Sequence, residues 1–192
     1  MISEHVERRL FHALGSLIPI TYILGVVEWK YIVILTWIGL GLAAVLEFVR
    51  LFLGYKFLSS LYRDYESENI AGYAIGTAGI FVAVNLFGVL GEDPMIASVS
   101  ILMLTIADPV VGVMGTGELR HIKPPRILAT MFLLSFLIGV IFLPPSTSAA
   151  GALGATVADG AKLRIKSYVI DDNLTIPIYS GVLMTVIKVL LR

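Results

Sequence analysis

The chain has 192 residues, of which 57% are hydrophobic and 15% charged, where soluble domains average roughly 45–50% and 25%. Fourteen Lys and Arg balance fourteen Asp and Glu, so no basic excess speaks for nucleic acid, and the lack of cysteine excludes disulfides and thiolate chemistry. A soluble domain beside the apolar runs is excluded as well, because the charged stretches between them are no longer than about twenty residues; residues 1–192 are expected to form one polytopic membrane domain.

The first apolar run, residues 10–27, follows Arg8 and Arg9. No A-x-A-like cleavage site follows Val27, which makes the run a retained span rather than a signal peptide. Arg8 and His12 are spaced i,i+4 and Arg9 and His12 i,i+3, so the three share one turn. They form either a polar patch at the membrane entrance or plain basic anchors with an interfacial histidine. The second run, 31–46, closes on Glu47 and Arg50, an acid one turn deeper than its base; an internal ion pair or a site carboxylate accounts for it equally well.

Runs three and four cover 69–91 and 94–107, and the fourth ends on Asp108. An aspartate in a membrane helix costs about 2.5 to 3.5 kcal/mol on the insertion scale, so Asp108 needs a functional reason. Asp108 followed by Pro109 has the form of an N-cap with proline at the first helical position. The expectation is a helix break, with a half-helix whose free backbone donors face phosphate. Gly112 and Gly115 follow at i+4 and i+7 on the same face, open to a ligand or to another helix. Arg120, His121, Lys123 and Arg126 then crowd one loop.

The uncharged stretch 127–158 is too long for one helix and breaks at Pro144-Pro145. Its second half, rich in Ala and Gly, is expected to lie buried among the other helices. Asp159, Lys162 and Lys166 would share one helical face there, suiting either magnesium with phosphate or a simple ion pair. Asp171, Asp172 and Asn173 precede the last run, 173–187; Asp172 or Asn173 is expected to cap it, and the surplus of oxygen side chains makes magnesium chelation a candidate.

The fold class is thus an all-α integral membrane protein, a bundle of about seven transmembrane helices. With the N-terminus cytoplasmic, eleven basic residues fall inside and only Lys30, Lys188 and Arg192 outside, an asymmetry that sets the C-terminus outside. Every polar constellation above then falls at the cytoplasmic end. That one-sidedness suits an enzyme acting on a headgroup-level lipid with a cytosolic cosubstrate better than a transporter with a midplane path.

Four segments, in this order, resemble the dolichol, phytol and CTP-dependent diacylglycerol kinase family. They are Glu7-Arg8-Arg9-Leu10-Phe11-His12, Glu47-x-x-Arg50, Asp108-Pro109 with Gly115, and Asp172-Asn173-Leu174-Thr175-Ile176-Pro177. Arg9 stands where the family usually has lysine, Val111 where it has alanine, and Asp159 about where it tends to have glutamate; its glycine- and lysine-rich stretch after the aspartate is poorly matched. The resemblance implies phosphate transfer from CTP to a lipid alcohol, most nearly a polyprenol such as dolichol. Arg8, Arg9, Lys123 and Lys162, with Gly112 and Gly115, would attend the nucleotide. Asp108, Asp159, Asp172 and Asn173 would hold Mg2+, and Asp108 or His12 would serve the chemistry. The alternatives are a cytidylyltransferase forming a CDP-lipid and a small transporter.

Overall fold

The computed structural model describes residues 9–55, 69–114, 122–161 and 171–191, together with the backbone of 164–165 and 168–169. Residues 9–14 form α1, and a turn at Gly15 and Ser16 leads into α2 (Leu17–Ile23). The remaining helices are α3 (Trp29–Phe52), α4 (Gly72–Ala83), α5 (Pro94–Leu102), α6 (Asp108–Met114), α7 (Pro125–Val140), α8 (Pro145–Gly160) and α9 (Asp172–Leu190). Two of them are prolonged by π turns: α4 continues through Val84–Leu90, and Met103–Ala107 joins α5 to α6 without interruption. The one departure from helix among the described elements is a short antiparallel hairpin, β1 (Arg164–Ile165) with β2 (Tyr168–Val169).

Four described helices are long and apolar enough to cross a membrane: α3, α4 with its π turn, the continuous run Pro94–Met114, and α9. At 1.5 Å per residue, 24-residue α3 is roughly 36 Å long, enough for a hydrocarbon core of about 30 Å. Shorter α7 and α8 and the broken pair α1–α2 complete seven helical runs in the order expected from the sequence. The surface has the polarity of a bilayer protein. Trp37, Leu42, Val45 and Phe48 are each more than half exposed along α3, whereas Ser98, Ser135, Ser148 and Ser180 are fully buried. Large apolar side chains outside and small polar ones inside suit helices solvated by lipid, where close contact rather than hydrophobicity drives packing.

Helix α8 packs most closely between α7 and α9. Its glycines explain the intimacy: a Cβ at Gly154 would lie 2.5 Å from the Tyr179 carbonyl oxygen, and one at Gly151 2.7 Å from the Met184 side chain. The opposite face carries half-exposed Leu153 and Val157, so α8 is buried on one side only. The core of large side chains gathers around α5 and its π turn, from Ile96 to Met103 and Leu104, with Met131, Ile176 and Met184 closing on it.

Between α3 and α4 the chain is held by the buried pair Glu47–Arg50. Arg50 Nη2 meets Glu47 Oε2 at 2.7 Å and Nε meets Oε1 at 3.1 Å, a bidentate fork. Glu47 Oε2 also accepts the Ala71 N–H at 3.1 Å, and Arg50 donates to the Asn69 carbonyl, so the pair ties the end of α3 to the start of α4. Of the two readings the sequence left open, this is the internal ion pair. Replacing Arg50 with Met alone should cost roughly 3–5 kcal/mol, because Glu47 would be left buried without its cation. The double replacement Glu47→Leu with Arg50→Met should cost distinctly less. Thermal unfolding in detergent checks the order of the two, and equal losses would reduce the pair to ordinary packing.

Candidate metal centre

Asp108 begins α6 with φ −61° and ψ −48°, fully helical values. It is therefore neither an N-cap nor the start of a half-helix with free donors, and the expected break is corrected to a π turn. The cause is Pro109. It has no N–H for the carbonyl of Thr105, and its ring crowds that carbonyl, so the helix widens by one residue instead of stopping. Thr105 Oγ1 turns back to the Ile101 carbonyl at 2.8 Å within the same turn.

The last helix begins differently from expectation too. Asp171, not Asp172 or Asn173, is the N-cap of α9; its carboxylate accepts the Asn173 N–H at 2.9 Å. That frees Asp172 for the site. Asn173 donates its side-chain amide N–H to the Gly72 carbonyl at 3.4 Å. Pro177 cannot serve the Asn173 carbonyl within the helix, and α4 covers that oxygen: a Cβ at Gly79 would lie 2.3 Å from it. Gly79 is what lets α9 start this close to α4.

Helix α8 ends at Gly160, and Ala161 is extended and bridged antiparallel to Ile122. The expected helical face shared by Asp159, Lys162 and Lys166 is thus corrected: the helix stops before either lysine, and both lie outside the described residues. The same bridge, with the Lys123 N–H on the Gly160 carbonyl at 3.2 Å, brings Lys123 to Asp159 instead. The Lys123 ammonium binds Asp159 Oδ1. Burial alone would push the lysine's pKa down. The Asp159 carboxylate, with Asp172 and Asp108 beyond it, outweighs that and raises it above the ordinary lysine value, so Lys123 is a cation.

Three helices accordingly deliver three carboxylates to one place. One oxygen from each of Asp108, Asp159 and Asp172 lies within 4.8 Å of the others. Asp159 is 2% exposed, and its Oδ2 is buried with no hydrogen-bond partner among the described residues. Three carboxylates so close, faced by one lysine in surroundings of low dielectric, must be neutralised further, either by protons or by a bound cation. The donor set is all oxygen, which matches the hard cations Mg2+ and Ca2+ and fits neither a zinc thiolate site nor a haem.

The expected nucleotide ligands are placed as follows. Arg9, on α1, packs against α6, donating from Nη1 to the Pro109 carbonyl at 3.2 Å and from Nη2 to the Gly112 carbonyl at 2.7 Å. Gly112 is the floor under that guanidinium; a Cβ there would come within 3.5 Å of Nη1. His12 is partly buried on α1, between Arg9, which meets Pro109, and Gly15, which meets Thr105. Arg8, Gly115 and Lys162 lie outside the described residues. Sequence reasoning missed the capping role of Asp171 and the approach of α4. The spacing Gly72, Gly76, Gly79 was the available signal, since small residues three or four apart mark close helix contacts. Comparison with protein-family models, curated proteins and solved structures finds no match to this chain.

A cation at 100 times its dissociation constant should stabilise the fold by about 2.7 kcal/mol. Millimolar Mg2+ or Mn2+ should therefore raise the melting temperature of the purified protein in detergent and leave Asp108→Asn much less affected. Indifference of the wild-type protein to both ions would remove the metal reading.

Proposed function

We propose that the chain is a membrane-bound phosphotransferase that moves phosphate from CTP to the hydroxyl of a lipid alcohol, most nearly a polyprenol such as dolichol, with Mg2+ as cofactor. The observation that carries this reading is the convergence of Asp108, Asp159 and Asp172, one of them with an unpartnered buried oxygen, beside the cationic Lys123. Phosphoryl transfer asks a protein chiefly for positioning and for neutralisation of charge, and this cluster offers both. Three of the four sequence segments that resemble the lipid-alcohol kinases contribute Asp108, Asp172 and the Glu47–Arg50 clamp.

In this reading Asp108, Asp159 and Asp172 hold Mg2+, which when bound lowers the electrostatic cost of bringing a hydroxyl to a polyanionic phosphate. Lys123 is tethered through its own backbone to the end of α8, so its ammonium stands ready at the carboxylates to meet a phosphate oxygen. The alcohol's proton passes to a carboxylate oxygen or to His12. The lipid's chain stays among the exposed apolar side chains while its hydroxyl meets the polar end. We assign that end to the cytoplasm, with the N-terminus inside and the C-terminus outside, because the basic residues concentrate there.

The decisive measurement uses labelled CTP and a panel of lipid alcohols. Transfer of the γ-phosphate with release of CDP supports the kinase, whereas pyrophosphate release with a CDP-lipid product establishes the cytidylyltransferase instead. Asp108→Asn preserves the shape of the side chain within a continuous helix, so the variant should fold and insert while transfer falls by orders of magnitude. A stable Asp108→Asn protein with normal turnover at limiting magnesium would remove Asp108 from the site.

Topology is tested separately. Tags at the N-terminus and near Lys56, Lys123 and Lys166 should be cytoplasmic and a C-terminal tag external. A cytoplasmic C-terminus would reverse the assignment for the last helix.

A further inference from the structure

Of the three helices that supply carboxylates, α6 has the weakest internal support. It follows a π turn, and its Pro109 leaves the Thr105 carbonyl without the usual N–H. Asp108 therefore depends on its neighbours for its position more than Asp159 or Asp172 does, the first fixed by the Ile122–Ala161 bridge beside it and the second by the Asp171 cap.

The support comes from the N-terminal helices. Gly15, at the turn between α1 and α2, meets the π turn on one side of Asp108; a Cβ there would lie 3.0 Å from Thr105 Cγ2. Arg9 grips the other side, with its two Nη atoms on the carbonyls of Pro109 and Gly112, 3.2 and 2.7 Å away. The contacts straddle the aspartate. Both carbonyls belong to α6, so the arginine holds the backbone that follows Asp108 directly. Its planar fork spans two oxygens one turn apart, which the single ammonium of a lysine cannot reproduce. With both Nη groups turned to backbone oxygens, Arg9 is engaged before any phosphate arrives.

We propose that the α1–α2 turn is a clamp that sets Asp108 in register for cation binding, with Arg9 as a positioning residue acting through the backbone of α6 rather than as a ligand of the nucleotide. The proposal rests on the reading of Asp108, Asp159 and Asp172 as cation ligands. It separates two roles that a basic residue near a phosphate site is commonly assumed to combine. Loss of Arg9 weakens the metal and spares the nucleotide.

The test measures Mn2+ binding to the purified full-length protein in detergent, by the paramagnetic resonance signal of free Mn2+, with no nucleotide or lipid present. Arg9→Ala and Arg9→Lys should both weaken Mn2+ on the order of tenfold, as removal of a group that orients a ligand does. CTP affinity, measured at Mn2+ concentrations that saturate each protein, should stay within about twofold of wild type, since a saturated site no longer reports the metal deficit. Gly15→Ala, which keeps Arg9 and presses on Thr105 instead, should weaken Mn2+ in the same direction. This variant also decides the matter where Arg9→Ala fails to fold. Unchanged Mn2+ affinity in Arg9→Lys and Gly15→Ala, or a loss of CTP affinity at saturating Mn2+, would overturn the clamp and return Arg9 to the nucleotide. Failure of the wild-type protein to bind Mn2+ is a different result, and it would overturn the cation site itself.

Discussion

A carboxylate among helices solvated by lipid has to be answered from within the protein, because no bulk water is there to solvate it. Three of the described acids obey this directly. Glu47 is held by Arg50, Asp159 by Lys123, and Asp93 by Lys188 at the opposite end, where Asp93 also caps α5 through the Ile96 N–H. Asp108 and Asp172 have no ion pair of their own among the described residues, yet they stand within 4.8 Å of Asp159. Three carboxylates with one lysine between them are the constraint from which the functional reading grows.

Proline and glycine act in pairs to build the cluster. Pro109 removes an N–H from the helix and forces the π turn that precedes Asp108; Pro177 removes another and leaves the Asn173 carbonyl to be covered by Gly79. Each proline would weaken a helix in isolation. In this bundle the gap each one opens is filled by a neighbour: Gly15 and Arg9 close around α6, and α4 closes on α9. The irregular positions of the backbone are thus the positions where separate helices become one site.

Much of the architecture was legible in the sequence because apolar run length is a direct physical signal of a span. The division at Pro144-Pro145, the order of seven helical runs, and the small-residue contact face of α8 all follow from it. Asp108 was legible as well, since an intramembrane acid is costly and needs a reason, and Asp172 stood out as one of more oxygen side chains than a helix cap needs; Asp159 was legible only as an acid set beside lysines. What was not legible was local hydrogen bonding. Whether Asp-Pro caps a helix or widens one depends on the neighbours packed around it, and Gly15 and Arg9 lie about a hundred positions away. The choice of Asp171 over Asp172 as cap, and the end of α8 at Gly160, depend likewise on partners across the bundle, α4 in one case and Ile122 in the other.

The π turn at Met103–Ala107 carries a consequence for how this chain tolerates change in length. A π turn accommodates one residue more than the α turn it replaces. Removing a single residue from this segment would convert it to plain α geometry, and because the lost residue is the one the wider turn had absorbed, Asp108 would keep its bearing toward Asp159 and Asp172. The same deletion in the regular α turns of α5 would rotate everything after it by about 100°, the angle per residue of an α-helix, and turn the aspartate out of the cluster. The segment is therefore a buffer for chain length: a one-codon deletion is absorbed within it and is not absorbed in the turns before it.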